Sequence, residues 1–499
     1  MSENENVRAV LYTDVLIIGS GCAGLIAALH LPSDKKITII TKRNVERSDS
    51  FLAQGGMCML DDMSDYDAYF EDTLKAGHYE NDKTSVDLMI RNSKDLAEEL
   101  LGYGVRFTRN PDGSLDFTRE GGHSRPRILF YKDITGREIT EKLWNEANKR
   151  PNISIVEYRK MVDLLIKDNV CYGAVVKDNS ERAVGKAKDL GRSFDNVRTE
   201  SDLAENAEAL KGLSGNPDNQ NAEKEINGFT REVTYVMADY TILATGGIGG
   251  LYGQSTNFRN LTGDSLAMAL KYGIEVRDIN YIQIHPTTFY TTEEEDRNFL
   301  ISESVRGEGA LLLDKNGERF VDELLPRDVL TGKILEQMKK DGTEHVWEDL
   351  RPIPEEELRT HFPNIVQHCL EKGYDVTKEP IPVVPAQHYY MGGIKVDYRS
   401  ATSCERLYAV GETACNGVHG KNRLASNSLL ESMVFARLAA NDISENYEKN
   451  TFDDSTFSEN TLPDEAQYLD GEALDNLYRS SVREAIAKAD NRIYKKDEE

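Results

Sequence analysis

A chain of 499 residues with 60 Lys and Arg against 86 Asp and Glu carries a formal charge of −26, with 39% hydrophobic and 29% charged side chains. This is the composition of a globular protein long enough for about three domains and a large buried core. So acidic a surface repels phosphate backbones and anionic lipid, which excludes nucleic acid and membrane surfaces as default partners. The longest apolar stretch, residues 15–31, is broken by Ser20, His30 and glycines and follows no basic region, so a cytoplasmic protein is expected. Six scattered cysteines without a CxxC pair indicate neither a disulfide framework nor a zinc or iron-sulfur site. Any redox chemistry must come from a bound organic cofactor.

In chain order, residues 14–18 are a β-branched run ending at Gly19, residues 22–31 are small and helix-compatible, and residues 36–41 are a second apolar run. The turn between the first two reads G-S-G-C-A-G, with Gly19, Gly21 and Gly24 on the dinucleotide-binding spacing and Ser20, Cys22 and Ala23 between them. One glycine makes a tight turn, one admits a pyrophosphate to the backbone, and one lets helix pack on strand. The anion then rests at a helix N-terminus, where free amides and the dipole favour negative charge. The second run ends at Thr41 and Lys42, where a carboxylate ordinarily accepts the ribose hydroxyls, so the nucleotide contact here must differ.

Residues 181–230 are rich in charge and poor in apolar side chains, and read as a polar insertion on a surface hairpin. Residues 240–247 form a buried strand running into glycines, and residues 406–413 a strand ending in Gly411 and Glu412. Either alone could be an ordinary sheet strand with a glycine turn. With the first turn they look like the three successive dinucleotide fingerprints of FAD proteins. Beyond residue 445 the chain turns acidic, and Leu474, Leu477, Tyr478, Val482 and Ile486 fit one face of a docking helix.

Several stretches set polar residues among glycines and prolines, as active-site loops do. They are S-F-L-A-Q-G-G at 50–56, T-R-E-G-G-H-S at 118–124, Q-I-H-P-T at 283–287, R-G-E-G at 306–309, L-P-R-D at 325–328, P-A-Q-H-Y at 385–389 and N-R-L-A-S-N-S-L-L-E at 422–431. With these motifs the chain resembles the flavoprotein family of succinate dehydrogenase, fumarate reductase and L-aspartate oxidase, most closely its aspartate-oxidising members. The resemblance covers about residues 13–440, the insertion excluded.

The resemblance implies an α/β fold: a Rossmann-type FAD-binding domain in two segments, 1–278 and 390–445, with an α+β capping domain inserted over 279–389. A short helical region, 446–499, would follow, shorter than the family's three-helix domain. The implied cofactor contacts are the glycine turn, Lys42, Asp49, Ser50, Phe51, Leu52, Ala53, Gln54, Gly55, Gly56, Asp264, Glu412, Ser428 and Leu429. The covalent linkage histidine of the family's respiratory enzymes is replaced here by Asp49, which predicts non-covalent FAD. The family chemistry is hydride transfer between a C4 dicarboxylate and flavin, at the interface of the two domains.

A dianion entering a protein of charge −26 needs concentrated local cations and donors to replace its hydration. His285, Arg327, His388 and Arg423 are the candidates, with Arg327 the arginine of the motif. Taken singly, either histidine could be structural, and Arg327 with Asp328 a surface ion pair. Arg423 precedes a helix whose N-cap is expected at Asn427 or Ser428. Arg306 is read as orienting its loop through Glu308. An unperturbed arginine is too weak an acid to deprotonate freely, so Arg327 is either a proton donor toward fumarate or an electrostatic clamp in amine oxidation. Glu120 makes no sense beside a dianion alone but good sense beside an ammonium. Gln283, Ser302 and Glu303 match further substrate-contacting positions.

The expected activity is oxidation of L-aspartate to iminoaspartate, with dioxygen or fumarate as reoxidant, as the first step of NAD biosynthesis. Transfer of iminoaspartate to quinolinate synthase is a further expectation. The competing readings are a soluble fumarate reductase and, from another class, a non-catalytic or RNA-modifying FAD protein.

Overall fold

A computed structural model describes residues 8–179, 231–293, 295–450 and 462–496, with Phe229 and Phe457 besides, and side chains as far as Asp490. The segment expected to be a polar insertion, 181–230, lies outside the described residues except for Phe229.

Apolar, largely β-branched residues make Val10–Ile18 a strand whose side chains alternate between two cores. Val15 and Ile17 enter one, and Leu16 and Ile18 enter the other. At roughly 1.5–3 kcal/mol for each fully buried aliphatic side chain, this alternation fixes which face is which. The strand lies between Ile37–Ile40 and Val233–Leu243, parallel to both. The sheet continues outward to Ile153–Val156 on one side and, through Val170–Asp178, to Arg159–Lys167 on the other. Val233–Leu243 is buried along its whole length, as befits a central strand covered on both faces. Its second half also pairs with Leu407–Ala409, so this sheet draws on chain from both sides of residues 282–390.

Those intervening residues carry a second, antiparallel sheet of four strands, in the order Ile282–Phe289, Ile381–Tyr390, Val346–Asp349, Leu311–Leu313. It has its own hydrophobic core, whose buried members all fall between Phe289 and Val383. Within this sheet Glu348 is fully buried, and neither carboxylate oxygen finds a partner among the described residues. Burial pushes its carboxyl up to about 8.

The C-terminal helix Gly471–Lys496 docks on the helix Asp264–Tyr272 through Tyr478, Val482 and Ile486, with Leu474 partly buried beside them. Leu477 departs from the expected face and is 62% exposed. Positions 474, 478, 482 and 486 recur every four residues, and at 3.6 residues per turn Leu477 lies roughly 120° from the centre of that stripe. Among the described residues no helix is long and apolar enough to cross a membrane, and no side-chain cluster could hold a metal ion.

Candidate active site

One elongated cavity is lined by the glycine turn at one end and by the four-stranded sheet at the other. Its empty space, open mouth included, is about 1710 Å³, more than the roughly 300–1,000 Å³ of a pocket for a drug-sized ligand.

At the first end the backbone leaves no room for side chains. Gly19 has φ +118°, and a Cβ there would lie 2.0 Å from the Ala244 carbonyl oxygen; a Cβ at Gly24 would lie 2.1 Å from the Gly19 oxygen. The helix Cys22–His30 starts at this turn, with Gly21 as an N-cap lacking a capping side chain and no acidic residue in its first turn. Among the described residues the Cys22 amide donates to Ser50 Oγ at 3.2 Å. The carboxylate missing from the end of the second strand stands nearby on another helix. Lys42 Nζ donates to Asp264 Oδ2 at 2.6 Å and to the Asn260 oxygen at 2.7 Å. Burial opposes ionisation of Asp264, yet Lys160 and Lys42 hold its carboxyl well below the usual carboxylate range. A glycine cradle, an open helix N-terminus and a buried carboxylate fit a dinucleotide.

Along the middle, Asp49 accepts from Asn257 Nδ2 at 2.5 Å and from the Phe258 amide at 3.4 Å. Burial pushes it up to about 7. Glu412 is pushed up to about 8, by burial first and by the charge of Asp49 second. Gly247 lies so close to Glu412 that a Cβ would meet its Oε1 at 2.2 Å. Arg297, set in an acidic run of sequence, also lines this stretch, and its charge favours ionised Asp49.

At the far end Arg327 opens the helix Arg327–Asp341 and is only 7% exposed. Its Nε donates to Glu303 Oε2 at 2.6 Å and its Nη1 to Gln283 Oε1 at 2.9 Å. It is therefore no surface pair with Asp328, which instead meets His78 Nε2 at 2.8 Å. Arg423 is packed over the Tyr389 ring, 4.4 Å from its centroid, and donates to Ser428 Oγ at 3.1 Å. Burial, and then the nearby charge of Arg327, lower its guanidinium to about 10. The helix after it starts at Asn427, and the N-cap is Ser426 at φ 59° rather than Asn427 or Ser428.

His285 and His388 face each other with ring centroids 5.0 Å apart. Burial and then Arg327 hold both well below their ordinary value. They are thus neutral hydrogen-bonding groups, not the cations that a reading by residue type allowed. Thr256 Oγ1 engages His388 Nδ1 at 2.8 Å.

Glu120 is buried with both oxygens accepting, from Ser304 Oγ and Ser426 Oγ, each at 2.6 Å. Burial and the neighbouring Glu303 raise its carboxyl above the ordinary value. Burial resists ionisation of Glu303 too, but Arg327 and Arg306 prevail and hold it low. Arg306 reaches Glu303 at 4.0 Å and the Glu323 oxygen at 2.7 Å. The expected link to Glu308 is absent, because Glu308 pairs with His361.

Of the cofactor, substrate and catalytic contacts expected from sequence, all line the cavity except Cys22, Gly24, Phe51 and Gln283. Gln283 stands behind the wall, where its amide nitrogen holds Asn422 Oδ1 and the Arg423 oxygen, each at 2.8 Å, while its oxygen holds Arg327. Lys160, Asn257, Arg297 and Ser426 also line the cavity without having been anticipated. Ser426 lies inside the motif at 422–431, but no local motif marks the other three, which distant segments of chain bring there.

The family described as FAD binding domain matches residues 14–429. An L-aspartate oxidase of Clostridium perfringens is 45% identical over 86% of this chain and 86% of its own length. That of a Nostoc strain is 38% identical over 86% and 67%. Among solved structures, an E. coli quinol fumarate reductase superposes with a TM-score of 0.75 at 27% identity, over 94% of this chain and 74% of that one. With an FAD-binding model matched over most of its length and relatives this similar, the chain belongs to the L-aspartate oxidases of the succinate dehydrogenase and fumarate reductase flavoprotein family.

Proposed function

We propose that this protein oxidises L-aspartate to iminoaspartate with non-covalent FAD, in the cytoplasm, as the first step of NAD biosynthesis. The observation that carries this reading is the far wall of the cavity. Two buried arginines, two neutral histidines and two buried carboxylates, Glu120 and Glu303, converge there, and Glu303 is already engaged by Arg327. Burial and then the charge of Arg327 weaken the hold of Arg423 on its proton, so a dianion between the two arginines would complete the wall. The histidines supply uncharged hydrogen bonds to the two carboxylates. Glu120 supplies the counter-charge for an ammonium, which a C4 dicarboxylate without an amine does not need.

Residues 279–389 act as a cap over an FAD domain formed by 1–278 and 390–445. The cap contributes His285, Ser302, Glu303, Arg327 and His388, and the FAD domain contributes Glu120 and Arg423. The glycine turn holds the pyrophosphate, and Lys42 with Asp264 the adenosine side. When bound, FAD supplies the acceptor for the hydride that leaves the substrate Cα, and dioxygen or fumarate takes the electrons on. Arg327 serves by electrostatic preorganisation: Glu303 and Gln283 fix its plane before substrate arrives, so no reorganisation is needed as charge shifts. Asp49 has no nucleophilic nitrogen with which to attach flavin. The iminoaspartate product then passes to quinolinate synthase.

Anaerobic L-aspartate should bleach the bound flavin while succinate leaves it yellow. Bleaching by succinate with indifference to L-aspartate would replace this reading with a fumarate reductase. Acid precipitation should leave a colourless pellet under a yellow supernatant, and a washed pellet that stays yellow would overturn non-covalent binding.

A further inference from the structure

Lys160 lies at the nucleotide end of the cavity, is 5% exposed, and has no place in the reading above. Its Nζ is 3.9 Å from Asp264 Oδ2, the oxygen that already accepts from Lys42. Its close partner is Asp475, which belongs to the C-terminal helix 315 residues further along the chain. The same helix makes three other contacts nearby, one of them with a residue that lines the cavity. Tyr478 donates to the Val162 oxygen at 2.6 Å, Arg483 to the Leu251 oxygen at 2.9 Å, and Val482 packs against Gly263, which lines the cavity beside Asp264.

Two ammonium groups here, Lys160 buried and Lys42 half-buried, share the Asp264 carboxylate from the body of the protein. A second carboxylate is needed to keep Lys160 from drawing Asp264 away from Lys42 and from ligand, because an under-compensated buried cation is costly. We propose that the C-terminal helix is part of the cofactor site: through Asp475 it neutralises Lys160 beside Asp264, so that docking of the helix and binding of the dinucleotide stabilise each other. This rests on the cavity being the FAD site. Asp475 and Lys160 are positioning residues, since they act through Asp264. Linkage makes the coupling reciprocal, so it can be read from either side.

Hydrogen–deuterium exchange on the unaltered protein reads one side: amides over residues 474–486 should exchange at least about tenfold more slowly with FAD than without, within the usual range of coupling free energies. Flavin-fluorescence titration of the FAD-free protein reads the other. Asp475→Asn should weaken FAD binding about tenfold, Asp475→Glu should restore most of it, and Glu484→Gln on the exposed face of the helix should leave it unchanged. The melting temperature of each FAD-free variant separates loss of the site from loss of the fold. Asp475→Asn that binds FAD as tightly as the unaltered protein overturns the coupling, as does exchange over 474–486 that is indifferent to FAD. Should the unaltered protein not bind FAD at all, the assignment of the cavity falls first.

Discussion

The two ends of the cavity solve the burial of charge in opposite ways. At the nucleotide end, Lys42, Asp264, Lys160 and Asp475 form two cations and two anions in contact, complete without ligand. At the substrate end Arg327 is balanced by Glu303, but among the described residues Arg423 meets the Ser428 hydroxyl and the Tyr389 ring, and its Nε finds no partner. One end is a preformed socket for a group meant to stay. The other holds Arg423 in no direct ion pair among the described residues, a place that a passing dianion fills, which suits turnover. Substitutions at the substrate end should therefore change rates, and those at the nucleotide end should change cofactor affinity.

The largest effect is expected for Arg327→Leu, which should lower kcat/KM for L-aspartate by about 1,000-fold or more, roughly 4 kcal/mol, with FAD content unchanged. Steady-state kinetics on flavin-matched samples tests this, and near-normal turnover would erase the division between the two ends. Next comes Glu120→Gln. Leaving an ammonium unpaired in a desolvated site costs roughly 3–5 kcal/mol, so aspartate oxidation should fall about 100-fold or more while fumarate reduction changes far less. Equal losses in both reactions would instead mark a loop defect.

Because burial and Glu303 raise the Glu120 carboxyl, and only its ionised form holds an ammonium, aspartate oxidation should fail as pH drops through a value above that of an ordinary glutamate. A pH profile of kcat/KM should show this acid limb in the wild type and lose it in Glu120→Gln. At the nucleotide end, Lys42→Met should weaken FAD about tenfold, or roughly 1.4 kcal/mol, and leave kcat at saturating FAD unchanged. A fall in kcat would mean that the two ends are not separable. The smallest effect belongs to the outer surface of the C-terminal helix, where Leu477→Ser should change stability by less than about 0.5 kcal/mol in a thermal melt.

Legibility in the sequence followed the same geography. Gly19 and Gly24 are readable because their constraint is local: each faces backbone within its own strand-turn-helix unit or the strand beside it. Arg327, Glu120 and Arg423 are readable through their motifs. Their electrostatic state is not, because the neutral histidines and the lowered Arg423 follow from burial, which spacing does not reveal. Lys160 is invisible without its distant partner Asp475. Arg297 is hidden by its acidic neighbours, which suggest a solvated run. Leu477 was misread because a loose apolar face admits i, i+3 neighbours, whereas this helix buries a strict i, i+4 stripe.

Glu348, far down the second sheet, leaves the protein with a proton to carry. Its carboxyl is held up at about 8 in the fold and returns to roughly 4.3 in the unfolded chain. Unfolding therefore releases a proton at neutral pH. The hydrogen ion acts as a structural ligand whose contribution is complete in acid and drains away as pH rises from about 4.3 toward 8, levelling off above that because both states are then ionised. The second sheet thus has an alkaline limit that the first does not share through this group. Replacing Glu348 with Leu should remove that part of the pH dependence of stability, and a variant whose stability falls between pH 5 and 8 as steeply as the wild type would show that the proton is not held there.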